Sequence, residues 1–122
     1  MSSRKILIVE DDPWLAEQQS RVLQKAGYHT SVSPHAIAAI AAVDDDLPDV
    51  IVLDVLLTGS TAFALMHELQ SYADTGGIPI ILCTNLAADI SIDDVRPYGV
   101  RRILDKTTME PDEVVTAVRS VL

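Results

Sequence analysis

The sequence predicts an α/β fold on a parallel sheet, and three observations carry that reading. Short apolar runs at residues 6–9, 50–53, 80–83 and 103–104 are bounded by turn-formers, as strands buried on both faces are. Helical patterns separate the runs, so the strands run parallel and end on one side of the sheet. The 122 residues are 48% hydrophobic, which suits one domain over 1–122 with helices covering both faces.

The elements follow in chain order. Residues 6–9 form the first strand and run into Glu10-Asp11-Asp12. Pro13 opens a helix over 13–26, with Leu15, Val22, Leu23 and Ala26 inward and Gly27 as its terminator. Residues 29–33 form a weaker, β-branched edge strand. Ser33-Pro34 leads into an Ala-rich helix over 36–43, which Asp44-Asp45-Asp46-Leu47-Pro48 ends. The 50–53 strand reaches Asp54, residues 55–60 form a loop, and a helix covers 61–72 before Gly76-Gly77. The 80–83 strand reaches Thr84. A helix poor in strong helix formers covers 86–95, stopped by Pro97 and Gly99. The last strand spans 100–104, and Glu110-Pro111 starts a final helix with Val114, Val115, Val118 and Leu122 inward.

Nine Lys+Arg against 18 Asp+Glu give a net charge of −9. That balance argues against direct nucleic-acid contact, which needs concentrated positive charge, and against an anionic membrane surface. The lone Cys83 cannot form an internal disulfide and reads as a small buried hydrophobe. The first residues resemble neither a signal peptide nor a membrane span, so the expected compartment is the cytoplasm.

Open α/β sheets bind ligands at the carboxyl ends of their strands. There the sequence gathers Glu10, Asp11, Asp54, Thr84 and Lys106. Two carboxylates about 4 Å apart repel by ~4 kcal/mol at an effective dielectric of ~20. A hard divalent cation with oxygen ligands explains such crowding, and Lys106 adds a fixed positive charge from the opposite side. Asp12 reads as the N-cap of the helix at Pro13. Asp44, Asp45 and Asp46 read as a solvated helix end, and His29, His35 and His67 as surface or partly packed histidines away from the pocket.

These five residues, in order at successive strand ends, resemble the receiver domain of bacterial two-component response regulators, the CheY-like superfamily. The resemblance spans essentially the whole chain. It implies a doubly wound, flavodoxin-like three-layer sandwich with strand order 2-1-3-4-5. It implies Asp54 as phosphoacceptor, Asp11 as direct metal ligand, Glu10 as a partner holding the metal through water, and the main-chain carbonyl of Leu56 as a further ligand beside Asp54. Thr84 and Lys106 correspond to the residues that hold the phosphoryl group and report its presence, and Asn85 borders its entry. The implied cofactor is Mg²⁺, or Mn²⁺. The implied partners are a sensor histidine kinase or phosphotransfer protein upstream, and a protein target or output domain downstream. Such a domain is a switch that promotes its own phosphoryl transfer and dephosphorylation, not a metabolic enzyme. It signals through its last two helices and the strand between them, or relays phosphate onward, as a complete protein or a piece of a longer regulator. The oligomeric state stays open between a monomer and a phosphorylation-dependent homodimer.

The chain departs from the family in places. Thr58 and Ala62 stand where Pro and Gly are frequent, and Asn85 stands where a very small residue is usual. Thr107 follows Lys106 in place of Pro. Ile103 occupies the position of a switching Tyr or Phe, so any switch must use aliphatic repacking, the helix over 86–95 or the neighbouring loops. Arg101-Arg102 stands where many receivers are acidic. Leu56 and Leu86 occupy positions that influence phosphate lifetime; neither orients a water, which implies slow self-dephosphorylation. These departures support a rival reading, a pseudo-receiver that works as a phosphorylation-independent interaction module. A flavin or nucleotide binder on the same topology fits poorly, because Glu10-Asp11-Asp12-Pro13 would repel phosphate without a metal.

Overall fold

A computed structural model describes residues 4–54, 59–72, 74–85, 87 and 90–122, with only the backbone of 59–63. The elements are β1 (Lys5–Val9), α1 (Pro13–Lys25), β2 (His29–Ser33), α2 (Ala36–Asp45), β3 (Val50–Asp54), α3 (Gly59–Gln70), β4 (Ile80–Thr84), α4 (Ile92–Val95), β5 (Val100–Asp105) and α5 (Pro111–Val121), with a 3₁₀ turn at Arg96–Tyr98 between α4 and β5. The sheet has five parallel strands in the order β2-β1-β3-β4-β5.

Strand alternation sorts the core into two layers. Leu7, Val9, Ile51, Leu53, Ile80 and Leu82 pack against α2 and α3 through Ala39, Val43, Leu65, Met66 and Leu69. Ile6, Ile8, Val50, Val52, Ile81 and Cys83 pack on the opposite face against Leu23 of α1 and Val114, Ala117 and Val118 of α5. Both faces are therefore dry, which is why these strands read as unbroken apolar runs. Cys83 is buried, and that burial, followed by the nearby Asp54 charge, pushes its thiol pKa up to about 12. It is a packing residue.

Helix ends show why α1 sits where it does. The Asp12 carboxylate accepts from the backbone N–H groups of Trp14 (3.0 Å) and Leu15 (3.4 Å), and Pro13 occupies the first turn. At the other end Gly27 adopts φ 99°, its N–H donates to Gln24 O, and Tyr28 N–H donates to Leu23 O. That double closure requires the left-handed conformation glycine allows. Asp12→Ala is expected to cost about 1 kcal/mol in urea unfolding; an unchanged midpoint would contradict the capping role.

Three expectations need correction. The helix placed over 86–95 does not run through: Ile90 and Ser91 lie outside it, and α4 begins only at Ile92. Ser91 is extended (φ −84°, ψ 133°) and its side chain accepts from Asp93 N–H, so it caps a new helix instead of continuing an old one. In α1 the fully buried positions are Ala16, Gln19 and Leu23, whereas Leu15, Val22 and Ala26 are half-buried. In α5 the buried stripe is Val114, Ala117 and Val118; Leu122, expected inside, is 43% exposed beyond the helix end.

The remaining boundaries move by a few residues. α2 continues to Asp45, and α3 begins at Gly59, inside the expected loop, and stops at Gln70. β5 carries an irregularity: Ile80 faces Val100 but Ile81 faces Arg102, so Arg101 is an extra residue. The bulge leaves both Arg101 and Arg102 exposed on the sheet edge. Lys5 Nζ pairs with Asp46 at 2.6 Å on the surface, and His35, read as a surface histidine, caps α2 by accepting from Ala38 N–H at 3.1 Å. No helix among the described residues is long and apolar enough to cross a membrane.

Candidate functional site

Register brings the loaded residues together. Val9 lies beside Leu53, so Glu10 and Asp54 emerge from adjacent strands at the same level. Asp54 lies beside Cys83, and Thr84 lies beside Asp105, with Lys106 next. Neighbouring strands stand about 4.8 Å apart, so these side chains share one small volume. Glu10 continues the alternation of Ile6 and Ile8, and Asp54 that of Val50 and Val52, so both carboxylates belong to the α1–α5 side.

The central contact joins all three charged elements. Lys106 Nζ donates to Glu10 Oε1 at 2.8 Å and to Asp54 Oδ2 at 2.8 Å. The side chains of Glu10, Asp54 and Lys106 are 1%, 3% and 11% exposed. Glu10 Oε2 also accepts from Asp12 N–H at 3.3 Å. Lys106 is anchored by its own backbone, whose N–H donates to Thr84 O at 3.0 Å. The lysine therefore reaches the carboxylates directly, a closer arrangement than a charge facing them from the opposite side.

Two carboxylates sharing one ammonium leave an excess negative charge. Burial raises the Glu10 pKa well above the usual carboxylate range; Asp54 adds to the rise, and Lys106 opposes it. Burial lowers the Lys106 pKa, but its bonds to Asp54 and Glu10 outweigh that, and the net shift is upward. The ammonium is thus charged, and one ammonium faces two buried carboxyl groups.

Glu10, Asp11 and Asp54 each offer a carboxylate oxygen, and the three oxygens lie within 4.8 Å of one another. Glu10 and Asp54 are buried and Asp11 is exposed, so the triad opens to solvent on one side. An all-oxygen, anionic donor set of this kind can hold a hard divalent ion and suits Mg²⁺ or Mn²⁺ better than softer metals.

Thr84 is fully buried at the end of β4, and Asn85 beside it is exposed. Ile103 is half-buried and packs against the α2–α3 layer, so the position of a switching ring holds a packed aliphatic side chain. Leu56, expected to lend its carbonyl, lies outside the described residues, as do Thr58 and Leu86. Thr107 is exposed, its hydroxyl and N–H both donating to Asp105, and no peptide bond among the described residues is cis.

Residues 6–119 match the family model of the response regulator receiver domain. The chain belongs to that family. The receiver is 33% identical over 120 residues to the probable transcriptional regulatory protein TcrX of Mycobacterium tuberculosis, covering 96% of this chain and 49% of the relative. It is 34% identical over 122 residues to the DNA-binding response regulator MtrA of Mycolicibacterium smegmatis, covering 98% and 50%. The receiver thus spans about half the length of the curated relatives it matches. Among solved structures it is similar to the signal receiver domain of a signal transduction histidine kinase from Syntrophus aciditrophicus (TM-score 0.82, 29% identity, 98% and 90% covered). It shares its fold with the chemotaxis protein CheY4 of Vibrio cholerae (TM-score 0.86, 23% identity, 99% and 100% covered). The expected fold and strand order are those observed.

Two features of the site carry no signal in the sequence. The two hydrogen bonds that Lys106 donates to Glu10 and Asp54 depend on side-chain reach between non-adjacent strands, which no spacing in the chain encodes. The burial of Gln19 inside α1 was equally hidden, because an amphipathic pattern assigns a glutamine to solvent.

Proposed function

We propose that residues 1–122 act as one cytoplasmic receiver domain that accepts a phosphoryl group on Asp54 from a phosphohistidine donor, with Mg²⁺ as cofactor. The buried convergence of Glu10 and Asp54 on Lys106 is the observation that supports this reading most. An Asp54 oxygen attacks phosphorus, the O–P bond forms as the N–P bond to imidazole breaks, and the imidazole leaves. The end of β3 holds the attacking Asp54 carboxylate in a fixed place, so the gain is in positioning. Lys106 moves from carboxylate to phosphoryl oxygen, and Thr84 donates its hydroxyl to another. Glu10, Asp11, Asp54 and the Leu56 carbonyl would hold the cation. Bound there, Mg²⁺ supplies positive charge against the repulsion between the phosphoryl group and the carboxylates.

Release of Lys106 from Glu10 and Asp54 is a local change that the β5–α5 connection carries to the last helix, with α4 and β5 repacking around Ile103 in place of a rotating ring. The partners are a sensor histidine kinase or phosphotransfer protein and a downstream protein target or output domain. The named relatives are about twice as long and are called transcriptional or DNA-binding regulators. No DNA contact is assigned to this stretch, whose net charge is −9.

The test is transfer from a phosphorylated histidine-phosphotransfer domain, followed by loss of donor label and by Trp14 fluorescence. Trp14 is 66% exposed beside the metal-binding loop. Transfer within minutes supports the receiver. No transfer, with Mg²⁺ bound, favours the interaction module that Asn85, Ile103 and Thr107 suggest. Once formed, the aspartyl phosphate is expected to persist for minutes or longer, because Leu56 and Leu86 orient no water. Decay within seconds in Mg²⁺, followed by intact mass, would refute that.

A further inference from the structure

A groove of about 220 Å³ opens between α1 and α5. Leu15 and Val22 line one side and Met109, Pro111 and Val114 the other, with the polar side chains of Gln18 and Lys106 also in the lining. Gln19 lines the same groove, is 4% exposed, and its side-chain amide has no hydrogen-bond partner among the described residues. No side-chain nitrogen or oxygen sealed from solvent lacks a partner among those residues, so the Gln19 amide must reach accessible space. The groove supplies it. A nearly buried amide with donor and acceptor unused is costly unless something in the groove satisfies it.

We propose that this groove binds a small neutral molecule pairing one apolar ring with a primary carboxamide. The size decides between occupants: an apolar cavity of about 150 Å³ takes benzene, so this one holds a ring with a short substituent and is too narrow for a helix. The walls account for the ring, and the two-sided amide of Gln19 matches a group that both donates and accepts. Charge excludes a carboxylate ligand, because Lys106 is already shared by Glu10 and Asp54 and the chain carries −9. The site goes beyond the receiver role and stands whether or not Asp54 takes a phosphoryl group.

The test uses the full chain, isotope-labelled for NMR, titrated with benzamide and separately with toluene. Saturable shifts are expected at the Gln19 side-chain NH₂ and the Met109 methyl, with benzamide about fivefold tighter than toluene, the worth of one net hydrogen bond. In Gln19→Leu the preference for benzamide should vanish while toluene still binds. Absence of saturable shifts in the wild type, or a benzamide preference that survives Gln19→Leu, would overturn the proposal. If the variant fails to fold, equal affinity of the wild type for the two probes overturns it as well.

Discussion

Asp54→Asn should take up no phosphoryl group from any donor while keeping its fold. The substitution replaces one oxygen by nitrogen at a position that is 3% exposed, so no cavity is left and packing in β3 is unchanged. It removes the only nucleophile that β3 delivers to the pocket, and an amide does not attack phosphorus. The expected loss is complete within detection, on the order of 100-fold or more, whereas most losses of a positioning group are smaller. The stability change separates this from simple damage. Glu10 and Asp54 share one ammonium, so removing one negative charge relieves their repulsion, and Lys106 can still donate to the remaining carbonyl oxygen. Asp54→Asn is therefore expected to be at least as stable as the parent without metal, within about 1 kcal/mol. A variant that is phosphorylated at the parental rate would remove Asp54 from the chemistry.

Lys106→Met should destabilise the metal-free protein strongly and make its stability depend on Mg²⁺. Methionine keeps most of the stem's volume, so the change is chiefly electrostatic. It leaves the Glu10 and Asp54 carboxylates, 1% and 3% exposed, with no counter-charge. Breaking a buried pair from one side typically costs 3–5 kcal/mol. Glu10, whose pKa is already raised by burial, can take up a proton and blunt the loss, so about 3 kcal/mol is expected, or roughly 10 °C in Tm. Mg²⁺ at about 100 times its Kd should restore about 2.7 kcal/mol, because it binds only the folded pocket. The parent should gain less at equal concentration, since its own lysine occupies the same two carboxylates. If Lys106→Met melts at the parental temperature without metal, the lysine is not what holds those carboxylates together.

The pocket was legible in the chain because parallel strands share one polarity. Val9, Leu53, Cys83 and Leu104 each close a run, and the register sets neighbouring closures level or one residue apart, so Glu10, Asp54, Thr84 and Lys106 gather at one end of the sheet. Asp12 was legible for a local reason, since a carboxylate one residue before Pro13 meets free N–H groups wherever the helix begins. What escaped depends on competition or on reach. Residues 86–95 carry a helical pattern, but Ser91 offers its own side chain to the backbone and starts the helix afresh. Leu15 is only half-buried because α1 turns Gln19 inward, and Leu122 is exposed because α5 ends at Val121, so apolarity alone did not rank these positions. The bulge at Arg101 is a property of two strands together, and a single run cannot display it.

The pocket is expected to accept a phosphoryl group only when a divalent cation joins Lys106. Intact mass after incubation with acetyl phosphate, in Mg²⁺ and in parallel with EDTA, tests it most directly. One added phosphoryl group per chain is expected in Mg²⁺ and none in EDTA. No addition while Mg²⁺ is demonstrably bound, or equal addition in both, would contradict it.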